Sequence, residues 1–171
     1  MREFNVTGIC VPGKHYRVNI EGKLFEIMEM AHKGKYFAIN RARQYGKTTA
    51  LVSLNEILNV GENICIYISF EGAGESMFKD EESFCKRFGR QVSRVLKRNN
   101  PYLDNEWSYR DANDLDELGD RIDNLCKKRR VFLIIDEVDA ASNNLVFVDF
   151  WDCLGNCIWK GIQGGRAHFI A

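Results

Sequence analysis

Arg41-Ala42-Arg43-Gln44-Tyr45-Gly46-Lys47-Thr48-Thr49 is the stretch on which the reading of this chain turns. The short apolar run Tyr36-Phe37-Ala38-Ile39 precedes it, and Ala50-Leu51-Val52-Ser53-Leu54-Asn55-Glu56-Ile57-Leu58 follows with helical character. A strand, a polar loop ending in Gly-Lys-Thr and then a helix is the context of a phosphate-binding loop. In such a loop backbone N–H groups and the positive helix end cradle phosphates, and a lysine reaches the terminal ones. Lys47 is the candidate for that lysine, and Thr48 for the hydroxyl that ligates Mg²⁺. The full pattern has a glycine where this chain has Arg41. Glycine is favoured there because tight loops often need positive φ, so Arg41 implies a loop of slightly different path. Its guanidinium is also suited to lie along phosphates.

Working outward, the second decisive stretch is Val131-Phe132-Leu133-Ile134-Ile135-Asp136-Glu137. An almost continuous apolar run suits a strand covered on both faces. An acid at its end is placed to hold the same ion from its outer coordination sphere, the role expected of Asp136. Together the two stretches read as a nucleoside-triphosphate site.

Between and around them the pattern alternates. Leu24, Phe25, Ile27, Met28 and Ala31 predict a helix closed by Gly34; Phe84, Phe88, Val92 and Val95 predict another, with acids at its start. Leu115, Leu118, Ile122 and Leu125 predict a third, ending in Lys127-Lys128-Arg129-Arg130. Four cations after a helix and before a buried strand read as dipole partners and aggregation gatekeepers rather than as a nucleic-acid patch. Extended runs fall at Tyr36–Ile39, Ile64–Phe70 and Val131–Ile135. Strands separated by helices imply right-handed βαβ crossovers and a mainly parallel sheet in a three-layer αβα fold. Asn99 to Tyr109 is the clearest loop, with aromatics that either pack beneath it or face a partner.

Composition sets the bounds. The chain has 171 residues, 45% hydrophobic and 28% charged, enough for one domain with a sizeable core. Lys+Arg and Asp+Glu are both 24, so no net field steers it to nucleic acid or an anionic membrane. No run approaches the ~20 apolar residues of a membrane span, and Met1-Arg2-Glu3-Phe4-Asn5 lacks the apolar core of a signal peptide. The expectation is a cytoplasmic protein with reduced cysteines. Cys65, Cys85 and Cys126 fall on apolar positions and are expected in the core; Cys153 and Cys157 share a helix face, but nothing nearby completes a zinc site.

Several stretches resemble the bacterial AAA-like ATPases of the STAND-related group, whose loops read Arg-Pro-Arg-Gln, an aromatic, then Gly-Lys-Thr. The resemblance covers most of the chain: Phe4-Asn5-Val6-Thr7-Gly8 with Lys14-His15-Tyr16, the loop from Arg41 to Thr49, Ser69-Phe70-Glu71-Gly72, and Asp136-Glu137-Val138-Asp139 followed by Ser142-Asn143-Asn144. That family accepts Arg41 in place of the first glycine, while Ala42 departs from its usual proline. The resemblance implies that Arg41, Arg43, Gln44, Tyr45, Gly46, Lys47, Thr48 and Thr49 bind the nucleotide, that the opening segment near Tyr16 wraps the adenine end with Tyr16 among the binding residues, that Thr48 and Asp136 serve Mg²⁺, and that Glu137 polarises the attacking water. A carboxylate beside a metal is chemically able to orient water; the structural alternative is a helix-capping or salt-bridged surface acid.

The resulting expectation is a Mg²⁺-dependent ATPase that couples nucleotide state to an unknown protein partner or additional domain. The alternative is a non-hydrolysing nucleotide-binding or interaction module, including a truncated or frame-shifted fragment. A GTPase is disfavoured because the chain has no Asn-Lys-x-Asp motif. A single domain over 1–171 is expected: an N-terminal segment and helix to 35, a nucleotide-binding core over 36–140, and an atypical tail over 141–171. That tail, with Phe150-Trp151-Asp152-Cys153-Leu154-Gly155 and further glycines, is poor helix material, and the fold is expected to be incomplete at its C-terminus. Ala167-His168-Phe169-Ile170-Ala171 is expected to enter the sheet between Tyr36–Ile39 and Val131–Ile135, with no fifth strand and a marginal stability that calls for a partner.

Overall fold

The computed structural model describes residues 21–33, 37–39, 46–99, 107, 111–141, 143–164 and 167–170. Five helices and three strands follow one another: α1 (Glu21–His32), α2 (Lys47–Leu58), β1 (Asn63–Ser69), α3 (Glu81–Asn99), α4 (Leu115–Lys128), β2 (Arg130–Asp136), α5 (Leu145–Gly164) and β3 (Ala167–Ile170). Single 3₁₀ turns lie at Glu75–Met77 and Val138–Ala140. The sheet order is β1-β2-β3 and both pairings are parallel.

Alternation along the strands decides the layering. Side chains of a strand point to opposite faces in turn. Ile64, Ile66 and Ile68 of β1 and Val131, Leu133 and Ile135 of β2 join one core with α3, α4 and α5. Cys65, Phe132 and Ile134 point the other way and join Leu24, Ala31, Leu51, Leu54 and Leu58 of α1 and α2. Because every second residue finds an apolar helix on its own side, both sheet faces are covered, which is why β2 can be apolar throughout. The result is a mixed α/β domain compatible with the expected αβα layering. Asp136, continuing the alternation past Phe132 and Ile134, falls on the face shared with α2.

The helices expected from periodicity form α1, α3 and α4, and Phe84, Phe88, Val92, Leu118, Ile122 and Leu125 are buried. Phe25 is an exception: it is 64% exposed on α1. Lys127 and Lys128 occupy the last turn of α4, where cations favour the negative helix end. Cys65, Cys85 and Cys126 are buried and free, and burial raises all their thiols, Cys85 and Cys126 to about 12. They are core residues and stay protonated at neutral pH. In the loop after α3, Trp107 packs inward and donates from Nε1 to the Gly89 carbonyl at 3.1 Å.

Two expectations need correction. Tyr36–Ile39 is not a strand in the described residues: Phe37 is a single bridge residue, Ala38 and Ile39 carry no strand, and Tyr36 lies outside the description, as does Gly34. The tail is also better helix material than its glycines suggest, since α5 runs for 20 residues through Gly155 and Gly161. Phe147, Phe150 and Leu154 are buried, with the Phe150 ring centroid 4.9 Å from Phe84 and 4.7 Å from Phe88. Burying such a side chain stabilises by roughly 1.5–3 kcal/mol, which outweighs about 1 kcal/mol lost per interior glycine. Cys153 ties the same helix to α4 by donating from Sγ to the Leu115 carbonyl at 3.3 Å. The expected position of the last strand holds on one side: β3 pairs with β2, Val131 opposite Ala167 and Ile134 opposite Ile170.

Candidate functional site

Helix α2 begins abruptly. Gly46 is its N-cap at φ 72° and ψ 25°, a left-handed conformation that an L side chain adopts only with strain. The Ala50 N–H closes the first helical turn onto the Gly46 carbonyl at 2.9 Å. Gly46 has no side chain with which to cap the helix and no acid lies in its first turn, so among the described residues neither the N-cap nor the first turn compensates its positive end.

The end of β2 meets that helix start. Asp136 is 2% exposed, the buried charged residue among those described. Its carboxylate accepts four contacts. On Oδ1 are Lys47 Nζ at 3.1 Å and the backbone N–H of Glu137 at 2.9 Å. On Oδ2 are the Thr48 hydroxyl and the Tyr67 hydroxyl, each at 3.0 Å. Burial on its own raises this carboxyl, but hydrogen bonds from Lys47, Thr48 and Tyr67 outweigh it and hold the group below its ordinary value. Tyr67 shifts the opposite way: burial first, then the negative charges of Asp136, Glu137 and Glu71, keep its hydroxyl protonated and therefore a donor.

Glu137 follows at φ 58° and ψ 39°, the non-glycine residue with positive φ among those described. Acidic and bulky residues enter this region at a cost, and such outliers gather at functional turns. It is partly exposed, and its own N–H is held by the preceding carboxylate.

Of the residues picked out from the sequence, Gly46, Lys47, Thr48, Asp136 and Glu137 come together here. Thr49 sits in the same helical turn, half-buried. Arg41, Arg43, Gln44, Tyr45 and Tyr16 lie outside the described residues. Tyr67 was missed. The signal for it is alternation in β1: Tyr67 shares the face of Cys65, and the register places it opposite Ile134, one same-face step before the Ser69–Asp136 pair. Only the folded structure shows its hydroxyl reaching Asp136.

Among the described residues no group of three or more His, Cys, Asp or Glu side chains is arranged to hold a metal, and no helix is long and apolar enough to cross a membrane. No curated protein and no solved structure matches the chain. A family model described as an AAA-like domain matches residues 16–152. That span contains α1 to α4, β1 and β2, and with them Lys47, Thr48, Tyr67, Asp136 and Glu137, so the chain belongs to the AAA-like domain family, a membership that supports a nucleotide-binding protein.

Proposed function

We propose that this chain is a P-loop protein that binds ATP with Mg²⁺ and hydrolyses it, coupling nucleotide state to a protein partner. The observation that carries the reading is the convergence of Lys47, Thr48 and buried Asp136 on the glycine-capped, acid-free start of α2. An uncompensated helix start is a receptor for phosphate oxygens. Lys47 brings a positive charge to the same place, and its partner Asp136 is the group it leaves when an anion arrives. In this reading Arg41, Arg43, Gln44 and Tyr45 are assigned to the phosphates and Tyr16 to the adenine end, all five outside the described residues, and Thr49 adds a backbone donor.

The site's oxygen donors suit a hard cation. Thr48 offers a hydroxyl and Asp136 a carboxylate held in its charged form, the donor types that Mg²⁺ takes beside phosphate oxygens. When bound, Mg²⁺ supplies neutralisation of phosphate charge. Glu137 is the general base of the reading: adjacent to Asp136 and partly exposed, it accepts a proton from the attacking water at its carboxylate.

Purified protein is expected to bind ATP more tightly with Mg²⁺ than with EDTA in calorimetry, and to release phosphate slowly. Glu137→Gln is expected to keep MgATP binding while lowering turnover by about a hundredfold, the scale of a general base. Equal loss of binding and turnover in that variant refutes the catalytic role of Glu137. Tight MgATP binding without turnover in the parent protein assigns it instead as a non-hydrolysing nucleotide-binding module.

A further inference from the structure

We propose that Tyr67 is a positioning residue for Asp136, holding the carboxylate in one orientation when Lys47 and Thr48 turn from it to the nucleotide and its metal. This rests on the MgATP reading of the site and adds a residue to it.

An ionised carboxylate has about four acceptor positions, two on each oxygen. All four are taken: Lys47 and the Glu137 N–H on Oδ1, Thr48 and Tyr67 on Oδ2. A metal ion or a water on that ion therefore reaches Asp136 only if a donor leaves. The four donors come from two kinds of place. Lys47 and Thr48 are adjacent residues in the first turn of α2, where phosphate oxygens compete for them directly. Tyr67 and the Glu137 N–H belong to the strand ends, where β1 and β2 are locked in register from Asn63–Arg130 to Ser69–Asp136. The Phe70 N–H extends that lock by donating to the Asp136 carbonyl at 3.0 Å.

Departure of Lys47 and Thr48 thus leaves one strand-borne donor on each oxygen. Two donors on opposite oxygens fix the carboxylate plane; one leaves it free to rotate about its χ2 bond. The Glu137 N–H belongs to the backbone and survives any substitution but proline, so Tyr67 is the side chain on which that orientation depends. Its position is itself well held, because the ring packs against the cluster of Leu51, Leu54, Phe132 and Ile134.

The test is the Mg²⁺ dependence of ATP affinity in the parent protein and Tyr67→Phe, which keeps the ring and removes the donor. Expected is an ATP affinity in EDTA within about twofold of the parent, with the Mg²⁺ concentration for half-maximal tightening raised about tenfold, the size of one hydrogen bond to a charged group. Equal weakening with and without Mg²⁺, or no change in either, overturns the proposal. Failure of the parent protein to bind ATP at all refutes the MgATP reading instead. A nucleotide-free arm keeps the contact testable in that event: in urea unfolding, Tyr67→Phe is expected to cost stability in the parent but nothing further in Asp136→Ala, which leaves the Tyr67 hydroxyl without that acceptor. Additive losses overturn the Tyr67–Asp136 coupling.

Discussion

The starts of α2 and α4 differ in who completes them. At α4 the chain satisfies itself: the Asp114 carboxylate accepts the Glu117 N–H at 2.7 Å, and Glu117 accepts the Asn113 N–H at 2.9 Å. Glu81, at the start of α3, accepts the Leu115 N–H at 2.7 Å. Acids at both helix starts also face the positive helix end. At α2 the N-cap is a glycine and the first turn has no acid, and among the described residues it is the Asp136 carboxylate at the end of β2 that binds the side chains of Lys47 and Thr48. A helix that compensates its own terminus gains stability; one that leaves it bare keeps a place for an anion. Helix α2 is thus ordered by its apolar face, through Ala50, Leu51, Leu54 and Leu58, and not by its terminus.

The largest expected effect is on Lys47. Lys47→Ala is expected to weaken ATP binding by at least about tenfold, the loss of one charge-assisted contact to phosphate. It also strips a buried carboxylate of its counter-charge, so the unfolding midpoint in urea should fall as well. An unchanged dissociation constant in calorimetry would sink the phosphate assignment of α2 and with it the contrast between the two helix starts.

A smaller effect, confined to stability, is expected at the self-capped helix. Asp114→Ala removes the side-chain cap of α4 and should cost about 1 kcal/mol in urea unfolding, while leaving nucleotide affinity unaltered. A change in ATP binding with that variant would show that the start of α4 is not independent of the site.

The smallest effect carries the sharpest sign. Thr49→Glu places an acid in the first turn of α2, imitating α4, and should add roughly 0.3–1 kcal/mol through the helix dipole. The same charge should repel the phosphates, so ATP affinity is expected to fall as thermal stability rises. Both quantities moving in the same direction would break the comparison, because it would mean that the positive end of α2 is not what meets the ligand.

Much of this organisation was legible in the residues. Helical periodicity in α3 and α4 is strong because one face must be apolar and the other wet, and Phe84, Phe88, Val92, Leu118 and Ile122 are buried as that pattern requires. The glycines of α5 misled, since propensity is local and the burial of Phe147, Phe150 and Leu154 against α3 and α4 is not. Tyr36–Ile39 misled in the other direction: so short an apolar run carries few hydrogen bonds of its own, and among its described residues, 37–39, Phe37 alone is a bridge. The Lys47, Thr48 and Asp136 constellation was legible because each residue type has a chemical reason to stand beside a strand end or a helix start. Tyr67 was not, because a tyrosine in a strand is ordinary core material until its hydroxyl has a partner.

By itself the sequence determined the alternation of strands and helices, the apolar faces that would be buried, and the glycine and polar residues that open α2. These are properties of a few neighbouring residues, set by backbone sterics and by the period of each element. Tertiary structure alone decided that Asp136 would face α2, that Tyr67 would reach it, and that a glycine-bearing tail would hold as a helix. Each of those depends on register and packing between segments far apart in the chain, where the free energy comes from what two elements exclude from water together rather than from what either prefers alone.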